Sequence, residues 1–198
     1  MMTKSLLVAA LSLVLVACGE RAGAPPSTFN ATDISSVEWG RDFQLLDHHG
    51  NRRSLADFNG KVVMLFFGFT HCPDICPTAL TDIAGVVEKL GDDGSRVQGL
   101  FVTVDPKRDT PPVLARYVSE FHPSFLGLHA DELTIAALAK EFKFFYGMSP
   151  APAEEGYDVS HGSAIYVYDP QGHLRLLIDN TDRTVDAMVA DVRLLLNE

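Results

Sequence analysis

Positive charge is scarce in this chain: 16 Lys and Arg stand against 26 Asp and Glu, a net charge of -10. Little on such a surface would displace counterions along a phosphate backbone, which argues against nucleic acid as a partner. Solubility alone accounts for the acidity. Cysteine is limited to three residues, Cys18, Cys72 and Cys76. There is no internal repeat, and the N-terminal apolar run, Leu6 to Ala17, is too short to span a bilayer comfortably. What is present is a chain of 198 residues with ordinary globular proportions of charged and aromatic residues. That suits one domain with a full hydrophobic core.

The N-terminus reads as an address. A single Lys4 precedes the apolar run, which ends in Leu15-Val16-Ala17-Cys18. This ending resembles the bacterial lipobox, and the resemblance implies cleavage before Cys18, lipidation of its sulfur and a firm membrane anchor. The expected division is a signal peptide over 1–17, a lipidated flexible tether over 18–36 and a folded domain over 37–198. As a coil the tether spans roughly 25 Å. With Cys18 assigned to lipid, Cys72 and Cys76 remain as an isolated pair in an oxidising compartment.

The body alternates strands and helices. A strand and return flank the turn at His49-Gly50-Asn51, and Val62 to Phe69 reads as a strand buried on both faces. Apolar residues from Leu80 to Leu90 recur at helical spacing, with Gly91 as the stop. A second buried strand lies in "VQGLFVTVD". Thr110-Pro111 opens a helix to about Phe121, and "SFLGLHA" is a short strand. Asp131 caps a helix over "ELTIAALAKEFKFF", and a loop covers Gly147 to Ser160. A hairpin turns at Pro170-Gln171-Gly172, and a helix over "TVDAMVADVRLLLN" closes the chain. This order predicts an α/β fold, a thioredoxin-like sandwich with a central mixed β-sheet flanked by helices.

The stretch "FTHCPDICPTAL" holds the cysteine pair. A structural disulfide closing so short a loop adds little stability, so chemistry is the better explanation. Proline is welcome at the first position of a helix. The helix is therefore expected to start near Pro77, with Cys72 to Cys76 in the loop or irregular turn ahead of it. Both thiols then lie near a helix N-terminus that favours thiolate, which is both a nucleophile and a metal ligand. A redox couple and half of a metal site stay open on this ground. Asp74 between two thiolates disfavours their ionisation, and a bound cation would offset the repulsion.

His161 is the candidate third ligand. In a thioredoxin-like fold the segment before this strand faces the cysteine loop, and His161 stands there. His71 is the alternative beside Cys72; His48, His49, His122, His129 and His173 have no such argument. Two thiolates and one imidazole suit Cu(I), or Cu(II) with an added ligand. Structural zinc wants a fourth ligand that is not evident. Met148 is weighed as a thioether ligand and is better explained by packing.

Three separated motifs, "FGFTHCPDICPTAL", "VTVDPKRDTP" and "YDVSHGSAIYVYDPQGHL", resemble the Sco/SenC family of copper-binding assembly proteins. The resemblance covers nearly all of the chain after the tether. It implies one copper bound through Cys72, Cys76 and His161, and a role in maturing the CuA site of cytochrome c oxidase. The implied partners are the copper-bearing oxidase subunit, a periplasmic thiol reductant and a copper donor, with the protein lipid-anchored in the periplasm. Val159-Ser160-His161-Gly162 departs from the family, which often has an acid before the histidine and a hydroxyl after it. That departure bears on hydrogen bonding around His161, not on its identity as ligand. Asp105 and Asp109 in "DPKRDTP" are explained by turn and capping duty. The rival functions are a thiol-disulfide oxidoreductase and a copper sensor or buffer.

Overall fold

The computed structural model of the chain describes residues 29–150, 156–179 and 184–198. Its strands are β1 (Thr32–Asp33), β2 (Leu45–Asp47), β3 (Arg52–Arg53), β4 (Val62–Gly68), β5 (Val97–Thr103), β6 (Leu126–His129), β7 (Tyr146–Pro150), β8 (Tyr157–His161), β9 (Ile165–Tyr168) and β10 (Leu174–Ile178). The helices are α1 (Ile75–Leu90), α2 (Pro111–Ser119), α3 (Glu132–Glu141) and α4 (Val185–Leu196).

β4 and β5 are buried at every residue, as two continuous apolar runs require of central strands. They pair in parallel, β5 pairs in parallel with β6, and β9 runs antiparallel along the other side of β4. The eight-stranded order is β1-β10-β9-β4-β5-β6-β2-β3. This is the mixed sheet expected from the sequence. Helices α1 and α4 pack on each other and on β4. Fully buried Phe66, Phe101, Leu80 and Ile83 belong to the core they close. Truncating an aromatic of this class to Ala costs about 3–5 kcal/mol.

Four sequence expectations need correction. Helix α1 begins at Ile75, so Cys76 lies inside its first turn rather than ahead of it. Pro77 is tolerated there because the first four helical N–H groups have no intrahelical acceptor. Helix α3 stops at Glu141, and Lys143 turns left-handed at φ 55°. The segment from Gly147 to Ser160 is not simply a loop: β7 and β8 pair antiparallel there as a separate two-stranded sheet, with Tyr146 opposite His161.

The N-terminal boundary also moves. β1 pairs with β10, and the backbone N–H groups of Asn30 and Ala31 donate to the buried Asp191 carboxylate at 2.8 and 2.9 Å. The domain thus takes in residues assigned from sequence to the tether. Cys18 and the 1–17 segment lie outside the described residues. Among the described residues no helix is long and apolar enough to cross a membrane.

Candidate metal centre

Strand β4 delivers the chain to the site at Gly68, and Phe69 to Cys72 then turn, with Cys72 N donating to Phe69 O. Helix α1 starts three residues later and buries Cys76 completely, while Cys72 is half-buried. Gly68 has no side chain because none fits: a Cβ there would lie 2.6 Å from Cys76 Sγ and 2.8 Å from the Phe101 ring.

β8 brings the third residue. The ligand atoms of Cys72, Cys76 and His161 all lie within 4.8 Å of one another, and Cys76 Sγ is 3.2 Å from His161 Nε2. His161 Nδ1 is 2.6 Å from Gly162 O. A carbonyl oxygen only accepts, so Nδ1 carries the proton and the Nε2 lone pair faces the sulfurs. The edges of Phe66 and Phe69 hold the ring, with centroids at 5.8 and 5.6 Å and interplanar angles near perpendicular. The carbonyl of Gly162 thus supplies the orienting hydrogen bond that metal-bound histidines usually have.

The two thiols are electrostatically unequal. The hydrogen bond from the Cys76 thiol, with backbone N–H groups of Asp74 and Cys76, holds Cys72 down at about 3 against the opposing effect of burial. That same hydrogen bond, and then its own burial, push Cys76 far up. The metal-free pair therefore shares one proton, with the charge on the more exposed sulfur. Two sulfurs and one imidazole nitrogen form a soft donor set. Among the described residues no fourth His, Cys, Asp or Glu joins it.

The other candidates lie elsewhere. His71 is exposed and turns to Thr70 Oγ1 and toward Asp109, away from the ligand cluster. His48 Nδ1 accepts from Gly127 N, His122 contacts Ser124, and His173 lies beside Asp169. Met148 stands on β7 opposite Val159 with its side chain partly exposed.

Asp105 and Asp109 do more than shape a turn. Both are buried, and the turn they flank reaches the segments that carry Cys72 and His161. Asp109 accepts from Thr70 N at 2.9 Å, Thr70 Oγ1 at 2.6 Å and Thr103 Oγ1 at 2.6 Å, fixing the loop two residues before Cys72. Asp105 pairs with Arg108 Nε and accepts from the Tyr157 hydroxyl at 2.6 Å, at the start of the strand that ends in His161. Thr110 caps α2 by position only, without a side-chain hydrogen bond. The available signal was two acids flanking Lys-Arg directly after a buried strand, but their partners lie 39 and 52 positions away.

The SCO1/SenC family model matches residues 31–197. The chain belongs to the SCO1/SenC family. The match opens beside β1, in keeping with the earlier domain boundary. Among SCO1/SenC relatives, the bovine (Bos taurus) mitochondrial SCO2 homolog is 47% identical over 133 residues, 66% of this chain. That match takes in only 50% of the bovine protein, so the chain spans about half the length of this relative. The solution structure of apo Sco1 from Thermus thermophilus aligns with a TM-score of 0.75 and 39% identity, covering 87% of this chain and 99% of that one. ScoI from Bradyrhizobium japonicum, solved with copper bound, aligns at 0.70 and 34% identity, covering 78% and 97%. The fold is that of the solved SCO1/SenC structures.

Proposed function

We propose that this chain is a copper metallochaperone that holds one copper ion through Cys72, Cys76 and His161 and serves assembly of the CuA site of cytochrome c oxidase. The observation that carries this reading is the convergence of two sulfurs and an Nε2 whose opposite nitrogen is committed to Gly162 O. The copper-bound state of the Bradyrhizobium relative supports copper as the metal. Cys72 offers a ready thiolate, Cys76 releases its proton on binding, and His161 is already in the ligating tautomer. Bound to this set, copper is the cargo, and the soft thiolates suit it in the Cu(I) state.

The N-terminal pattern supports a periplasmic protein anchored through lipidated Cys18, with the oxidase's copper-bearing subunit, a thiol reductant and a copper donor as partners. Oxidase activity in a deletion strain tests the assignment. Loss of activity that added copper restores supports delivery; unchanged activity on deletion overturns it.

A second reading is favoured by the unequal thiols. A half-buried, accessible thiolate and a buried protonated thiol are the attacking and resolving pair of a dithiol reductant. Cys72 attacks a target disulfide and expels one target thiolate. Cys76, giving up its proton, then attacks Cys72 and frees the second. Two electrons pass to the target, and a periplasmic thiol reductant restores the pair. Turnover by metal-free protein that is indifferent to His161→Ala distinguishes this chemistry from copper delivery.

A further inference from the structure

We infer that the polar turn from Asp105 to Asp109 sets the position of His161 over the dithiol, with Arg108 and Tyr157 as positioning residues. The inference rests on Cys72, Cys76 and His161 being the copper site.

The two-stranded sheet of β7 and β8 makes no ladder with the eight-stranded sheet. Side-chain contacts and single backbone bonds must therefore hold it over the thiols. At its His161 end, Gly162 N donates to Phe145 O, and Phe144, just ahead of β7, stacks on Phe67 at 4.0 Å. At its far end, among the described residues, Tyr157 makes the polar contacts to the turn. Its hydroxyl donates to Asp105 Oδ1 at 2.6 Å, its carbonyl accepts from Arg108 Nη1 at 3.0 Å, and the Arg108 guanidinium lies 4.1 Å from its ring centroid. Tyr157, Val159 and His161 alternate onto one face of β8, the less exposed one. A displacement of Tyr157 is therefore carried along a single extended strand to His161.

The same turn holds the cysteine loop through Asp109 and Thr70, so one short segment sets the spacing between the dithiol and the imidazole. Its two arms differ. The Asp109 arm is buried and accepts three hydrogen bonds. The Arg108 arm carries a buried Nη2 with no hydrogen-bond partner and borders a cleft of about 520 Å³ between the Cys72 loop and β8. The His161 arm is the less satisfied one, and the cleft leaves β8 room to shift. The contacts of Tyr157 with Asp105 and Arg108 act as a latch: when it opens, His161 leaves the site while the dithiol keeps its place.

The test uses Tyr157→Phe and Arg108→Lys in the full chain. Copper(I) affinity is read by chelator competition, and nitrogen ligation by X-ray absorption of the loaded protein. Dithiol alkylation is followed in metal-free protein, and His161→Ala is measured alongside. The latch predicts copper affinity about tenfold weaker in Tyr157→Phe, the size of effect typical of residues outside the ligand shell. A diminished nitrogen shell and unchanged alkylation accompany it, and any fall in melting temperature is only the small one that the lost hydrogen bond to Asp105 brings. Arg108→Lys keeps the charge facing Asp105 but loses the planar fork, and falls in the same direction. Wild-type affinity and nitrogen ligation in Tyr157→Phe, beside a loss in His161→Ala, overturn the latch and leave the copper site standing. No loss in His161→Ala overturns the site itself. Affinity, alkylation and melting temperature all falling together in Tyr157→Phe mark a merely structural residue and also overturn the inference.

Discussion

Cys76 Sγ lies 3.2 Å from His161 Nε2, although 85 positions separate the two residues. Cys76 is held by the first turn of α1, which follows the turn after the central strand β4, and His161 by the last position of β8. One element is part of the buried core and the other sits outside the main sheet. The site thus joins a rigid half carrying sulfur to a separately tethered half carrying nitrogen, an arrangement suited to taking up an ion and giving it away.

The unequal thiols make a kinetic prediction. With Cys72 held at about 3, its thiolate fraction is essentially complete from pH 5 to pH 8. An ordinary thiol near 8.5 reacts about tenfold faster for each pH unit over that range. Alkylation of the reduced, metal-free protein is expected to fall on Cys72 with a rate nearly flat in pH, leaving Cys76 unmodified. Peptide mass spectrometry after timed alkylation checks both points.

Gly68→Ala is expected to damage the site from behind. The added methyl meets Cys76 Sγ at 2.6 Å and Phe101 at 2.8 Å, both side chains buried and without room to retreat. Overpacking of this kind costs about 1–3 kcal/mol. Chemical denaturation is expected to show that loss, and copper titration a weakened site even where the fold survives.

Asp109→Ala removes the acceptor of three hydrogen bonds and leaves Thr70 N–H and two hydroxyls without it. The expected destabilisation is about 1–3 kcal/mol. Thr70→Val removes only one of those bonds and is expected to cost less. Urea titrations of both variants give the comparison.

Acid sensitivity has a source outside the cluster of Cys72, Cys76 and His161. Burial alone would raise Asp47, but hydrogen bonds from Asn51 N, from the Arg53 and Asn51 side chains and from His49 N bring it down to about 2. A depressed carboxylate contributes stability that is present above its unfolded value near 4 and is lost as pH falls through 4 toward 2. Asp47→Asn is therefore expected to be less stable than wild type at pH 7 by about 2 kcal/mol. The gap narrows as pH drops toward 3, and urea midpoints at the two pH values measure it.

Much of this was legible in the sequence. The continuous apolar runs of β4 and β5, the Gly91 stop and the Asp131 cap are local signals, and each element stands where its signal put it. The fold placement then pointed to His161. Two things were not legible. The pairing of β7 with β8 was hidden because "YGMSP" and "YDVSH" are only five residues each, and "YGMSP" ends in proline and lacks the alternation of a half-buried strand. The role of Asp105 and Asp109 was hidden because turn duty is a sufficient local explanation. Their partners Thr70 and Tyr157 become neighbours only when β4, β5 and β8 are assembled. Start positions erred for a related reason: Pro77 fits the first turn of α1 at more than one position, and burial of Cys76 against Gly68 selects the earlier start.

The ligand assignment is tested most directly by His161→Ala, read as copper stoichiometry and the sulfur-to-copper charge-transfer band of the Cu(II)-loaded protein. The expected result is a lost or strongly altered band with copper bound at least tenfold more weakly, while Cys72 alkylation in the metal-free protein still proceeds. One copper per chain with a wild-type band and wild-type affinity in that variant contradicts the assignment.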